Sequence, residues 1–81
     1  MEAISPAASP LSYADQARLR DRVLAALDTL PASQRQAVAL HQLLEYSLKE
    51  TSSLMAKTPS SVASLIHRGL RNMARTLGSR A

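Results

Sequence analysis

Two helix-start signals stand close together in the second half of this chain, and their closeness limits the fold more than any other feature. Ser47 precedes Glu50 at the Ser-x-x-Glu spacing of a capping box, in which hydroxyl and carboxylate each satisfy a backbone N–H at a helix start. Thr58 precedes Pro59, a good N-cap followed by the residue best suited to the first helical position, where the missing N–H has no intrahelical partner to lose. The gap holds a helix of about nine residues and a turn of about three. That is the layout of a helix-turn-helix.

The remaining punctuation divides the chain in the same way. Residues 1–11 carry Pro6 and Pro10 among small residues without a sustained period, which reads as a flexible lead or an interdomain linker remnant, disordered or extended. Ser12 and Asp15 form a Ser-x-x-Asp box, and Leu19, Val23, Ala26, Leu27 and Leu30 follow at helical spacing, predicting a first helix over about 12–28. Pro31 then breaks the chain and suits the first turn of a second helix, with Ala37, Leu40, Leu43 and Leu44 on one side and Val38 on the other. The third helix is expected to turn Leu48, Leu54 and Met55 inward. In the fourth, Val62, Leu65, Ile66, Gly69, Leu70, Met73 and Leu77 form an apolar stripe about 140° wide. Residues 12–81 are thus expected to form one all-α, four-helix domain with a helix-turn-helix and no β wing.

Composition narrows what such a domain can do. A chain of 81 residues buries a modest core, here assembled from Leu, Ala, Val, Ile and Met, with little room for an internal catalytic pocket. The absence of Cys excludes disulfides and thiolate-bound metals and fits a cytoplasmic location. No run approaches the roughly 20 apolar residues of a membrane span, and the N-terminus lacks the basic-then-apolar order of a signal peptide. His41 and His67 are not spaced to share a metal, Glu50 is accounted for by its capping box, and no Gly-rich phosphate loop or base-paired nucleophile is present. No enzyme, metal site or cofactor is expected.

Charge is distributed unevenly. Residues 57–81 hold Lys57, Arg68, Arg71, Arg75 and Arg80 with no acid among them, within a net charge of +4. The face of the fourth helix opposite its apolar stripe gathers Ser60, Ser61, Ser64, His67, Arg68, Arg71 and Arg75. Such a face suits a polyanion, with nucleic acid the commonest, although a solvated face or an acidic protein partner would carry the same composition. In a helix-turn-helix the second helix enters the major groove: the three serines would approach base edges, the arginines phosphates, and Thr58 with the free N–H groups beside it could hold a further phosphate. Arg35 and Lys49, near the starts of the second and third helices, are candidate phosphate contacts or solvated cations. Val38, Leu44 and Leu65 are core residues at helical spacing, or a protein-docking patch wherever they prove exposed.

Leu30-Pro31 followed by Gln34-Arg35, then Ser47-Leu48-Lys49-Glu50, Thr58-Pro59-Ser60-Ser61-Val62 and Ile66-His67-Arg68-Gly69-Leu70 occur in order. Over roughly residues 20–77 the chain resembles region four of bacterial sigma factors of the extracytoplasmic-function group. The resemblance implies recognition of the promoter minus-35 element by the last helix, binding of core RNA polymerase through its beta-subunit flap, and control by an anti-sigma factor. The chain departs from the family in having Ala63 and Leu65 where basic side chains are common, and Ala56 where the turn often has Gly. Region two of a sigma factor lies outside these residues, so the expectation is an excised domain or a stand-alone relative, and a monomer. The competing readings are a protein-interaction module of the same fold, favoured by Ala63 and Leu65, and a LuxR-type output domain, which the Leu-Pro and Gln-Arg signature disfavours.

Overall fold

The computed structural model describes residues 12–78, so the proposed lead at 1–11 and Arg80 lie outside the described residues. Four helices succeed one another: α1 Tyr13–Asp28, α2 Ala32–Val38 continued by a π-helical turn Ala39–Leu43, α3 Leu48–Met55, and α4 Pro59–Gly78. Among the described residues there is no strand. The expected all-α helix-turn-helix architecture is the one found. Among the described residues no helix is long and apolar enough to cross a membrane.

Local capping sets these boundaries. Ser12 Oγ accepts the Asp15 N–H at 3.1 Å and starts α1. Pro31, with φ −55° and ψ 151°, stands one position earlier than its sequence setting suggested, as the cap of α2, and its carbonyl accepts the Arg35 N–H at 2.9 Å. Both halves of the Ser47–Glu50 box are made, at 2.8 and 2.9 Å. Thr58 Oγ1 accepts the Ser61 N–H at 3.1 Å to open α4.

The turn between α3 and α4 is a Schellman motif built without glycine. Lys57 N–H donates to the Ser52 carbonyl (3.0 Å) and Ala56 N–H to that of Ser53 (3.2 Å), which places Ala56 in the left-handed region at φ 56°, ψ 42°. A left-handed Ala costs about 1–2 kcal/mol. Two otherwise orphaned carbonyls gain partners there, each worth about 1 kcal/mol net, so the motif survives the absence of Gly.

α4 is the element on which the fold is assembled. Toward its C-terminal end Met73 joins Ala26, Leu27, Leu30 and Val38, with Val23, Ala39 and Leu77 packed around them. Toward its N-terminal end Val62 and Ile66 join Ala37, flanked by Leu48, Met55 and Leu65. Between the two clusters α2 crosses at Gly69, where a Cβ would stand 2.7 Å from Val38 Cγ2. Glycine is required at this crossing for close approach of the helices.

Several expected core positions face outward instead. Leu43 and Leu44 are 47% and 63% exposed, because the π-helical turn, closed by Leu44 N–H to the Ala39 carbonyl (3.0 Å), takes an extra residue. The extra residue rotates the end of this segment by about 100° from the regular α-helical register. Leu54 (59% exposed), Leu19 and Leu70 also leave the core. Thr51 and Ser52 occupy the inner side of α3, each buried with its hydroxyl donating to a carbonyl one turn back, Ser47 (2.8 Å) and Lys49 (2.9 Å). Small hydroxyl residues that satisfy themselves within their own helix let α3 sit close to α4, a role that apolar periodicity does not register.

Candidate nucleic-acid interface

With its inner stripe consumed by the two clusters, α4 presents the opposite stripe to solvent. Ser60, Ser61, Ser64, His67, Arg68, Arg71 and Arg75 are all exposed along it. Two shallow depressions run down this side. The first, about 350 Å³, is lined by Lys57, Ser60, Ser61, Ser64, Leu65 and Arg68. The second, about 250 Å³, is lined by Arg68, Arg71, Asn72 and Arg75. Arg68 belongs to both, so the serine-lined and arginine-lined halves are continuous, and no carboxylate lines either one.

The start of α4 is partly committed to its own cap. Thr58 Oγ1 accepts from Ser61 and the Thr58 carbonyl accepts from Val62, while Pro59 has no N–H; Ser60 keeps the remaining N–H of that turn. The Thr58 hydroxyl therefore serves first as a cap and retains only its proton for an outside acceptor.

The two outlying cations are not brought to this face. Arg35 is half-buried, and its Nη1 donates to the Leu30 carbonyl at 3.2 Å and reaches toward that of Asp28 at 3.5 Å. Arg35 closes the C-terminal end of α1, where carbonyls lack helical partners and a cation suits the helix dipole. Nη1 of Arg35 thus has partners within the fold, which gives this side chain a structural role at the junction of α1 and α2. Lys49 borders a separate apolar hollow of about 330 Å³ with Tyr46, Glu50, Ser53 and Leu54, which shares no residue with the two depressions on α4.

Of the three apolar candidates, Val38 is 2% exposed and belongs to the core, which removes it from any docking patch. Leu65 is half-buried against the Val62 cluster while lining the serine-side depression. Leu44 is exposed, near Leu43 in sequence. His41, whose Nδ1 lies 2.8 Å from the Tyr46 carbonyl, must carry its proton on that nitrogen, since a carbonyl only accepts. It ties the end of the π-helical turn to the segment leading into α3.

Sequence reasoning missed Gln34, Asn72 and Lys57 as members of the site or its support. Asn72 Nδ2 donates to Gln34 Oε1 (3.0 Å), and Arg75 Nη2 donates to Asn72 Oδ1 (2.7 Å). The i, i+3 spacing of Asn72 and Arg75 was a signal available in the sequence. The link to Gln34, across 38 residues of sequence, was not.

A short helix, a tight left-handed turn and a longer helix with an exposed basic face make this a helix-turn-helix domain of the DNA-binding class. Residues 20–73 match the model of region 4 of the sigma-70 factors, and the chain belongs to that family. Region 4 is a DNA-binding domain of transcription initiation. No curated protein and no solved structure matches the chain. Within the family match, the Leu30-Pro31 and Gln34-Arg35 signature acquires a physical meaning: Leu30 fills the core, Pro31 starts α2, Gln34 ties α2 to α4, and Arg35 closes α1.

Proposed function

We propose that this domain recognises the minus-35 element of a promoter with α4 and binds core RNA polymerase through the beta-subunit flap, as region 4 of an extracytoplasmic-function sigma factor. The observation that carries the reading is the acid-free outer stripe of α4, serines at its start and arginines beyond. Arg68, Arg71 and Arg75 neutralise phosphates and fix the register. Ser60, Ser61, Ser64 and His67 supply base-edge or backbone contacts near the start of the helix, with Thr58 as its cap. The domain acts as a monomer in the cytoplasm, without catalytic activity, under an anti-sigma factor.

Affinity in isolation is expected to be low. Three phosphate contacts give a salt slope of about −2.7, a loss of roughly fortyfold between 50 and 200 mM salt, and tethering to polymerase supplies what the small interface lacks. The exposed Leu43, Leu44, Tyr46 and Leu54 favour a second reading, in which protein docking dominates and DNA contact is minor. Binding of the chain to a pool of random duplexes at two salt concentrations, and to an isolated flap fragment, separates the readings. Enriched duplexes with a steep salt dependence support promoter recognition. Flap binding with no duplex enriched supports the docking module.

A further inference from the structure

The three arginines on the outer face of α4 differ in how they are held. Arg68 and Arg71 have no hydrogen-bond or ion-pair partner among the described residues, whereas Arg75 donates to Asn72 Oδ1 at 2.7 Å. Asn72 is half-buried and is itself fixed from behind, its Nδ2 donating to Gln34 Oε1 on α2 at 3.0 Å. Hydrogen-bonding chemistry dictates the direction of this relay. A guanidinium has donors only, so Asn72 must turn its oxygen toward Arg75; its NH₂ then faces Gln34, which must present its own oxygen. Each amide has one workable orientation, and the chain of bonds runs from α2 to a solvent-exposed cation.

We infer that Asn72 is a positioning residue for Arg75: anchored to α2 through Gln34, it holds the Arg75 guanidinium beside Arg68 and Arg71 for a nucleic-acid phosphate. The inference rests on the proposed DNA recognition and adds a residue that does not itself touch the ligand. A free arginine gives up much of its rotamer freedom when it grips a phosphate. An arginine already held by a neutral amide has lost part of that freedom in the unbound protein and keeps its full charge. An acidic partner would have cancelled the charge it was meant to present. Arg75 stands 15 positions beyond Ser60, at the arginine-lined end of the outer face, where it shares a depression with Arg68, Arg71 and Asn72.

The test is a pair of double-mutant cycles in duplex binding with the full chain, read as affinity and salt slope, using the duplex most enriched from the random pool. Arg75→Ala is expected to flatten the slope by about one unit. Asn72→Leu, which leaves every charge in place, is expected to weaken binding roughly two- to tenfold, the cost of immobilising one arginine on binding. Asn72→Ala, a change that favours the helix, covers the case in which leucine disturbs folding. The loss from Asn72→Leu should vanish in an Arg75→Ala background and persist in an Arg71→Ala background. Equal losses in both backgrounds would mean that Asn72 acts on the fold and would overturn the inference, as would an Arg75-sensitive duplex that ignores Asn72→Leu. Absence of duplex binding by the unaltered chain would overturn the DNA reading itself and the inference with it. Side-chain nitrogen relaxation of the free protein gives a readout independent of DNA: Arg75 Nε should be more ordered than Arg71 Nε, and Asn72→Leu should abolish the difference.

Discussion

Gly69 and Ala56 show how much of this domain depends on single backbone positions. At Gly69 an added methyl would meet Val38 Cγ2 at 2.7 Å, and a valine in a helix has one strongly preferred rotamer and little freedom to retreat. Gly69→Ala gains about 1 kcal/mol of helix propensity but forces α2 and α4 apart, at about 1–3 kcal/mol. A net loss is expected, seen as a lower urea midpoint, and Val38→Ala should recover part of it in the double variant; additivity of the two losses would refute the contact. Ala56 behaves in the opposite sense. Its left-handed conformation favours glycine, so Ala56→Gly is expected to raise stability by about 0.5–1 kcal/mol with the fold unchanged, measured by the same denaturation. The sequence marked both positions, Gly69 within the apolar stripe and Ala56 as a departure from the family's turn. Glu45, left-handed at φ 63°, was not legible, because nothing in its residue type favours that conformation.

The helices could be read as far as their signals were local. All three side-chain caps, Ser12, Ser47 and Thr58, act where the sequence puts them, since capping needs only residues three or four apart. The π-helical turn was not legible: a regular 100° periodicity carries Leu43 and Leu44 to the inside, and the wide turn that brings them outward carries no compositional mark. The structural role of Arg35 was not legible for a related reason, since a cation at a helix start looks the same whether it meets solvent or the carbonyls of the preceding helix. Arg35→Ala is expected to cost about 0.5–1.5 kcal/mol of stability while leaving the salt slope of duplex binding unchanged. A flatter slope would return Arg35 to the interface. At the start of α1, the Arg18 guanidinium 2.8 Å from Asp15 holds that carboxyl below its ordinary value near 3.8, helped by the side chain and backbone of Ser12. A depressed carboxyl stabilises the fold above its unfolded pKa and ceases to do so as pH falls through the folded one. The first turn of α1 should therefore loosen below about pH 4, followed by the amide shifts of Tyr13–Asp15, and Asp15→Asn should remove that dependence.

For the whole molecule, charge and shape divide the labour. The long helix packs inward against α1, α2 and α3 and keeps its cations outside, so the basic side stays free while both core clusters are satisfied. Composition had located this asymmetry, because a run of 25 residues without an acid has no other way to balance its charge internally. Composition could not locate the apolar hollow beside Tyr46 and Leu54, which depends on where α3 sits relative to the end of α2. Arg71→Ala is expected to lower duplex affinity and flatten its salt slope by about one unit without changing the denaturation midpoint. A changed midpoint with an unchanged slope would make Arg71 a structural residue. Because the inner positions of α4 carry the fold while Ser60, Ser61 and Ser64 stay exposed on its other side, substitutions at the three serines are expected to leave stability nearly unchanged. On the proposed reading, in which these serines meet base edges, a lineage can retarget the domain through their codons with no compensating change elsewhere, and diverge in its regulon long before its framework records the separation.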